Sequence, residues 1–165
     1  MCRILLLVLA ITIVAIGNIS ALPSNAAEEY LETHNKARSV VGVSPLKWSL
    51  ALAKSASLMT RYQRDRKNCS FANLTTNKYG GNQLLADGLV ITPRRVVEYW
   101  VADWVFYNYA NNTCYSGFSC GAYTQVVWNK SQELGCAQAR CVKDQASLTI
   151  CFYYPPGNIK GERPY

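Results

Sequence analysis

Few residues in this chain could do chemistry, and they lie far apart. His34 is the only histidine. Arg38 follows one helical turn later, and Asp103 falls much further on, inside an aromatic run. An imidazole and a carboxylate can share acid–base work or hold part of a metal ion. No Ser-His-acid spacing accompanies them, so no nucleophile is assembled. On an otherwise apolar helix face a lone histidine is more often a hydrogen-bonded core residue than a ligand. Asp103 sits within an apolar face and needs a partner, for which His34 or Arg38 is the candidate. Gly80-Gly81 ahead of Asn82 reads as a backbone turn with positive φ. It lacks the Lys-Ser/Thr of a phosphate loop.

Two further stretches carry polar or aromatic groups in unusual settings. Cys120-Gly-Ala-Tyr-Thr-Gln-Val-Val-Trp128 is apolar on average, yet Thr124 and Gln125 lie inside it. Buried polar groups need partners, so this segment must run beside a polar cleft or another part of the chain. Trp100, Trp104, Phe106, Tyr107 and Tyr109 crowd one short stretch. Aromatic faces fill cores and also bind planar apolar ligands.

Arg3 and the apolar run 5–16 read as a secretory leader, 1–21, with Ala27 as the second candidate for the last residue removed. That run is short for a bilayer span. What remains is about 140 residues, enough for one domain, 28–165, with its own core. Seven cysteines are present. Cys2 leaves with the leader, and an even set in an exported chain predicts disulfides, though spacing leaves their pairing open. Paired C-x-x-C units are absent, which argues against a zinc–thiolate site. Asn68, Asn73, Asn111 and Asn129 open glycosylation sequons and belong at the surface. Cys69 lies inside the first, so disulfide closure and glycosylation compete there.

The formal charge is +7. Arg61, Arg64, Arg66 and Lys67 form the densest basic cluster. It suits acidic cell-wall polymers or anionic lipid heads, or else it is a solvated helix end whose cations favour the dipole. No pattern of an RNA- or DNA-binding module is present, so nucleic acid is not an expected partner.

The spacing predicts a helix over 28–40 with Ala27, Tyr30, Leu31 and His34 on one face. A turn follows at 41–46, then a longer helix over 44–66. The span 68–87 reads as a polar loop, with a short strand possible at 69–73. Thr92 caps a third helix with Pro93 at its first position; Val96, Val97, Trp100, Asp103, Trp104 and Tyr107 fall on one side. Period does not decide whether 123–128 is helical or extended. Alternation predicts two antiparallel strands, 133–141 and 147–154, joined by 142–146. An irregular tail, 155–165, ends the chain. Helices followed by strands imply an α+β layer fold.

His34-Asn-Lys-Ala-Arg38, Val41-Gly-Val-Ser-Pro-Leu-Lys-Trp48, Cys120 to Trp128, Leu134-Gly-Cys-Ala137 and Pro155-Pro-Gly-Asn158 occur in order. Together they resemble the CAP superfamily of cysteine-rich secretory, antigen 5 and pathogenesis-related class-one proteins. The cysteine set and the ending Arg163-Pro-Tyr165 are similar to the plant class. The resemblance implies a three-layer α-β-α sandwich with a central antiparallel sheet, stapled by Cys69–Cys141, Cys114–Cys120 and Cys136–Cys151. Members place two histidines and two acidic residues around a central cleft, and in some this tetrad binds a divalent metal. The matching positions here are His34, Gly81, Asp103 and Ala122. Two of the four have lost their donor groups, so neither a metal, a cofactor nor catalysis is implied. The family likeness instead implies a secreted, monomeric, non-enzymatic defence protein of the apoplast or cell wall. It would bind sterols or related lipids through Trp100, Trp104, Phe106, Tyr107 and Tyr109, or act at a cell-wall or pathogen surface. Two alternatives follow from the same likeness: release of 155–165 as a signalling peptide, and a reproductive or stylar wall role. At the peptide junction the family's Cys-Asn-Tyr reads Cys151-Phe-Tyr153.

Overall fold

Tyr30, His34 and Arg38 recur every fourth residue along the first helix, and with Ala27 they are the residues that helix buries. In the computed structural model, which describes residues 25–75, 78–87, 91–141 and 145–165, this helix is α1 (Asn25–Val40). The expected leader, 1–21, lies outside the described residues, as does most of the connection expected at 142–146. Gly42 turns the chain out of α1 at φ +73°, a left-handed conformation that glycine adopts without strain.

The helix expected over 44–66 begins later. Lys47–Trp48 form a short strand, β1, and α2 runs over Leu50–Arg66. The reason is β1's edge pairing: it lies parallel to Glu133 and Leu134, which an extended backbone allows and a helix does not. α2 then turns Leu52, Ala56, Thr60 and Gln63 inward.

The larger correction concerns 68–87. Gly80–Ala86 form β2, antiparallel to β6 (Ser147–Tyr154) along its whole length. Neither Gly80 nor Gly81 has positive φ. The glycines serve close packing: a Cβ at Gly80 would overlap the Gln125 amide, and one at Gly81 would stand 2.9 Å from Leu74.

β5 (Glu133–Arg140) and β6 form the antiparallel pair that alternation predicts, with Cys136 opposite Cys151. The four-stranded sheet has the order β1-β5-β6-β2 and is antiparallel apart from the two-residue β1. Its two faces are covered separately. Leu148, Ile150 and Phe152 point toward Leu52 and Ala56 of α2. Cys151 and Tyr153 point the other way, into the layer that holds Tyr30, Val96, Val97, Trp100 and Val126. Successive strand residues face opposite sides, so β6 is buried on both and seven of its eight residues are buried. Gly135 permits the α2 layer to approach, because its missing Cβ would fall 2.5 Å from Leu52 backbone and side-chain carbon. The fold is thus a three-layer α-β-α sandwich.

Three disulfides fix it. Cys69–Cys141 joins the end of α2 to the end of β5 across 72 residues, Cys136–Cys151 bridges β5 and β6, and Cys114–Cys120 closes a six-residue separation. The remaining elements are α3 (Pro93–Ala102), a 3-10 turn (Asp103–Phe106), a small hairpin of β3 (Tyr107–Asn108) and β4 (Thr113–Cys114), and α4 (Gly121–Val126). Thr92 caps α3 by accepting from Arg95 N.

Candidate functional site

His34 is fully buried and both ring nitrogens are engaged. Nδ1 lies 2.7 Å from Tyr30 O, and Nε2 lies 2.8 Å from the Tyr153 hydroxyl. A carbonyl only accepts, so Nδ1 carries the proton and Nε2 accepts from Tyr153. The hydroxyl in turn accepts from Asn82 Nδ2 at 3.2 Å, and the same amide donates to Ala122 O at 2.9 Å. A chain of hydrogen bonds therefore runs from α1 through β6 and β2 to α4. Burial holds His34 neutral and lowers its pKa to about 4; the nearby Arg38 cation pushes the same way, against the Tyr30 carbonyl. Burial likewise raises Tyr153 far above the ordinary phenol range.

Arg38 is buried with carbonyls alone. Nε donates to Ser44 O, Nη1 to Val126 O and Trp128 O, and Nη2 to Ser131 O, at 2.7–3.0 Å. One guanidinium thus ties α1 to the C-terminal end of α4 and the turn beyond it, where carbonyls have no helical partner. Its pKa falls to about 10, chiefly through desolvation.

Asp103 meets neither of these side chains. α3 tightens into the 3-10 turn at Asp103, which takes 103 and 104 off the inward line of Val96, Val97 and Trp100, while Tyr107 still packs against that core. Asp103 has no hydrogen-bond or ion-pair partner among the described residues, and partial burial raises its pKa. Gly81 is on the wrong face as well. It pairs with Phe152 and looks toward Leu74 in the α2 layer, whereas Gly80 and Asn82, paired with Tyr153 and Cys151, share the histidine's side.

These residues do not fit a divalent metal. The one imidazole has no free lone pair, positions 81 and 122 offer no donor, and the carboxylate stands by itself. Among the described residues no group of three or more His, Cys, Asp or Glu is placed to hold an ion. Sequence reasoning missed Tyr153, which occupies Nε2 of the histidine, and Asn82, which holds the Tyr153 hydroxyl. The period-2 alternation of 147–154 would have put Tyr153 on the α1 face.

The five aromatic candidates separate. Trp100 is 2% exposed and belongs to the core, edge-on to the His34 ring at 6.2 Å between centroids. Phe106 stacks on Phe118 at 3.8 Å. Tyr107 donates to Asn112 Oδ1, and Tyr109 stacks on Tyr165 at 4.8 Å. Tyr107 also lines a small, open recess of about 230 Å³ beside Asn112 and Thr124, whereas Trp104, 59% exposed, opens to a larger one. It lines a groove of about 440 Å³ between α1 and α3, with Ala37, Val40, Val101 and Ala102 as apolar wall and Lys36, Glu32, Arg94 and Glu98 as the charged residues.

Thr124 and Gln125 find the partners they require in the tail. Thr124 Oγ1 donates to Asn158 Oδ1 at 2.6 Å, and Gly157 N donates to Gln125 Oε1 at 3.1 Å. Ser131 Oγ donates to Pro155 O. Further along, Asn129 N donates to Pro164 O, Lys130 pairs with Glu162 at 2.8 Å, Arg163 donates to Tyr109 O and Ala110 O, and the Tyr165 and Tyr123 hydroxyls are 3.1 Å apart. The four sequon asparagines are exposed.

A sequence profile of the Cysteine-rich secretory protein (CAP) family matches residues 31–154. The chain belongs to the CAP family. Among curated relatives of this CAP chain, the STS14 protein of Solanum tuberosum is 63% identical over 86% of this chain and 66% of its own length. Pathogenesis-related leaf protein 4 of Solanum lycopersicum is 41% identical over 99% and 98%, and a PR-1 type protein of Sambucus nigra is 39% identical over 88% and 85%. The solved structure of Schistosoma mansoni venom allergen-like protein 4 superposes with a TM-score of 0.66 at 27% identity, covering 87% of this chain and 95% of that one. NaASP2, solved with Zn2+, has a TM-score of 0.67 at 20% identity over 86% of each chain, a likeness of fold alone. That zinc is a property of NaASP2; the CAP domain of this chain lacks the donors.

Proposed function

We propose that the protein is a secreted, non-enzymatic, defence-related member of the pathogenesis-related class-one branch, and that it holds a sterol or related lipid between α1 and α3. The observation that carries this reading is the groove beside Trp104. Its volume falls within the roughly 300–1,000 Å³ of small-molecule sites, and its lining is mostly apolar with a few charged groups. A largely apolar ligand gains by leaving water there, and a single hydroxyl finds Thr33 or a charged side chain in the lining. Non-enzymatic function is supported by the state of His34, whose nitrogens serve the core and whose proton is held on Nδ1.

Direct binding of a labelled sterol to the purified protein is the test. Trp104→Ala and Ala37→Glu should each weaken it, while Phe118→Ala, outside the groove lining, should not. A wild-type protein that does not take up sterol from solution ends the proposal.

Release of 155–165 as a peptide has less support. In the folded protein it would break the hydrogen bonds to Gln125, Asn129 and Thr124 and the Tyr165 contacts. Peptidomics of stressed tissue that finds a fragment beginning at Pro155 would favour it.

A further inference from the structure

We propose that the outer face of α2 is a docking surface for an anionic lipid bilayer, separate from the α1–α3 groove. The helix spends its inward stripe on the sheet, and the spacing of Lys54, Leu58, Arg61 and Tyr62 places these four together on the outward side. Leu58 and Tyr62 remain 55% and 51% exposed. With Met59, Tyr79 and Phe152 they line an open recess of about 420 Å³ whose surface is mainly apolar.

Cations surround this recess. Lys67 Nζ stands 6.0 Å from the Tyr62 ring centroid, and Lys78 Nζ stands 5.0 Å from that of Tyr79. Lys54, Arg61 and Arg66 are exposed along the same helix. The helix has one acidic residue, Asp65, and Arg64 already holds it through two hydrogen bonds at 2.7 and 3.1 Å. The face therefore combines an apolar centre with unbalanced positive charge. That combination matches the boundary between headgroups and acyl chains, where apolar side chains leave water and cations meet anionic phosphates. A hydrophilic polyanion such as a polyuronate would satisfy the cations but would offer Leu58 and Met59 little. The α2 face lies on the opposite side of the sheet from the groove, so the two sites operate independently.

The experiment is co-sedimentation of the secreted protein with phosphatidylcholine vesicles and with vesicles that also contain phosphatidylserine, at low and high salt. Binding should appear only with the anionic vesicles and weaken as salt rises. Each cation removed, Arg61→Ala or Lys67→Ala, should lower the partition coefficient about fivefold. Leu58→Ser should lower it at every salt concentration, and circular dichroism should match the wild type. The proposal is overturned by equal partition to neutral and anionic vesicles, by loss in the charge variants without loss in Leu58→Ser, or by retention on polygalacturonate without vesicle binding. Sterol uptake, measured separately, should be unchanged in all three variants.

Discussion

The buried histidine makes the protein's stability depend on pH in a window that can be calculated. His34 titrates at about 4 in the folded chain against an ordinary value of 6.5. The folded value lies below the unfolded one, so between them the unfolded chain binds the extra proton. The stabilising contribution is therefore complete above about 6.5 and is lost as pH falls toward 4. The gap corresponds to about 3 kcal/mol, a large share of the roughly 5–15 kcal/mol that holds a domain together. It arises chiefly because burial strips the imidazolium of water, and in smaller part because protonation would place a second cation beside Arg38. Urea unfolding between pH 4 and 7, followed by tryptophan fluorescence, measures it directly. Carboxylates also titrate near the bottom of this range, so the readout is the difference between wild type and His34→Gln. The variant will start less stable, yet its free energy of unfolding should change less over the window, by about 3 kcal/mol. Since the chain has no other histidine, parallel curves for the two proteins would refute the assignment of a neutral, hydrogen-bonded imidazole.

Other substitutions probe the layers around it. Arg38→Met takes the guanidinium donor from the carbonyls of Ser44, Val126 and Ser131, and leaves Trp128 O with Ser131 N alone; it should cost about 3–5 kcal/mol by urea unfolding, and a loss under 1 kcal/mol would mean that water replaces the guanidinium. Gly135→Ala drives a methyl into the α2 layer, and thermal unfolding should report a loss of about 3 kcal/mol. Removing Cys69–Cys141 as a pair of serines should cost about 4 kcal/mol and removing Cys114–Cys120 about 2, following the lengths of chain they close; the reverse order would show that strain or denatured-state structure dominates. The double variant Gly81→Glu, Ala122→His should bind no zinc with submicromolar affinity in calorimetry, because position 81 faces Leu74 and the His34 nitrogens stay occupied.

Much of the molecule was legible in its residues. Tyr30 and His34 repeat at helical spacing, Thr92-Pro93 announces a helix start, and 133–141 and 147–154 alternate as paired strands do. These signals are local: each depends on period or capping within a few residues. The loss of donors at 81 and 122 was equally plain, since glycine and alanine have none to offer wherever they lie. The strand β2 was not legible. Gly-Gly-Asn-Gln-Leu-Leu-Ala carries little intrinsic strand preference, and it is extended because β6, 60 or more residues away, supplies its hydrogen-bond partners.

Composition, then, settled that a metal tetrad could not be complete, and motif order settled the family. The tertiary structure alone decided what took the metal's place: a tyrosine from β6 that bonds His34 and an asparagine from β2 that holds the tyrosine, both through long-range contacts. It alone separated Trp104 from Trp100, because the turn that follows Ala102 rotates one ring into a groove and leaves the other in the core. Such outcomes depend on which surfaces meet, and no window along the chain contains both.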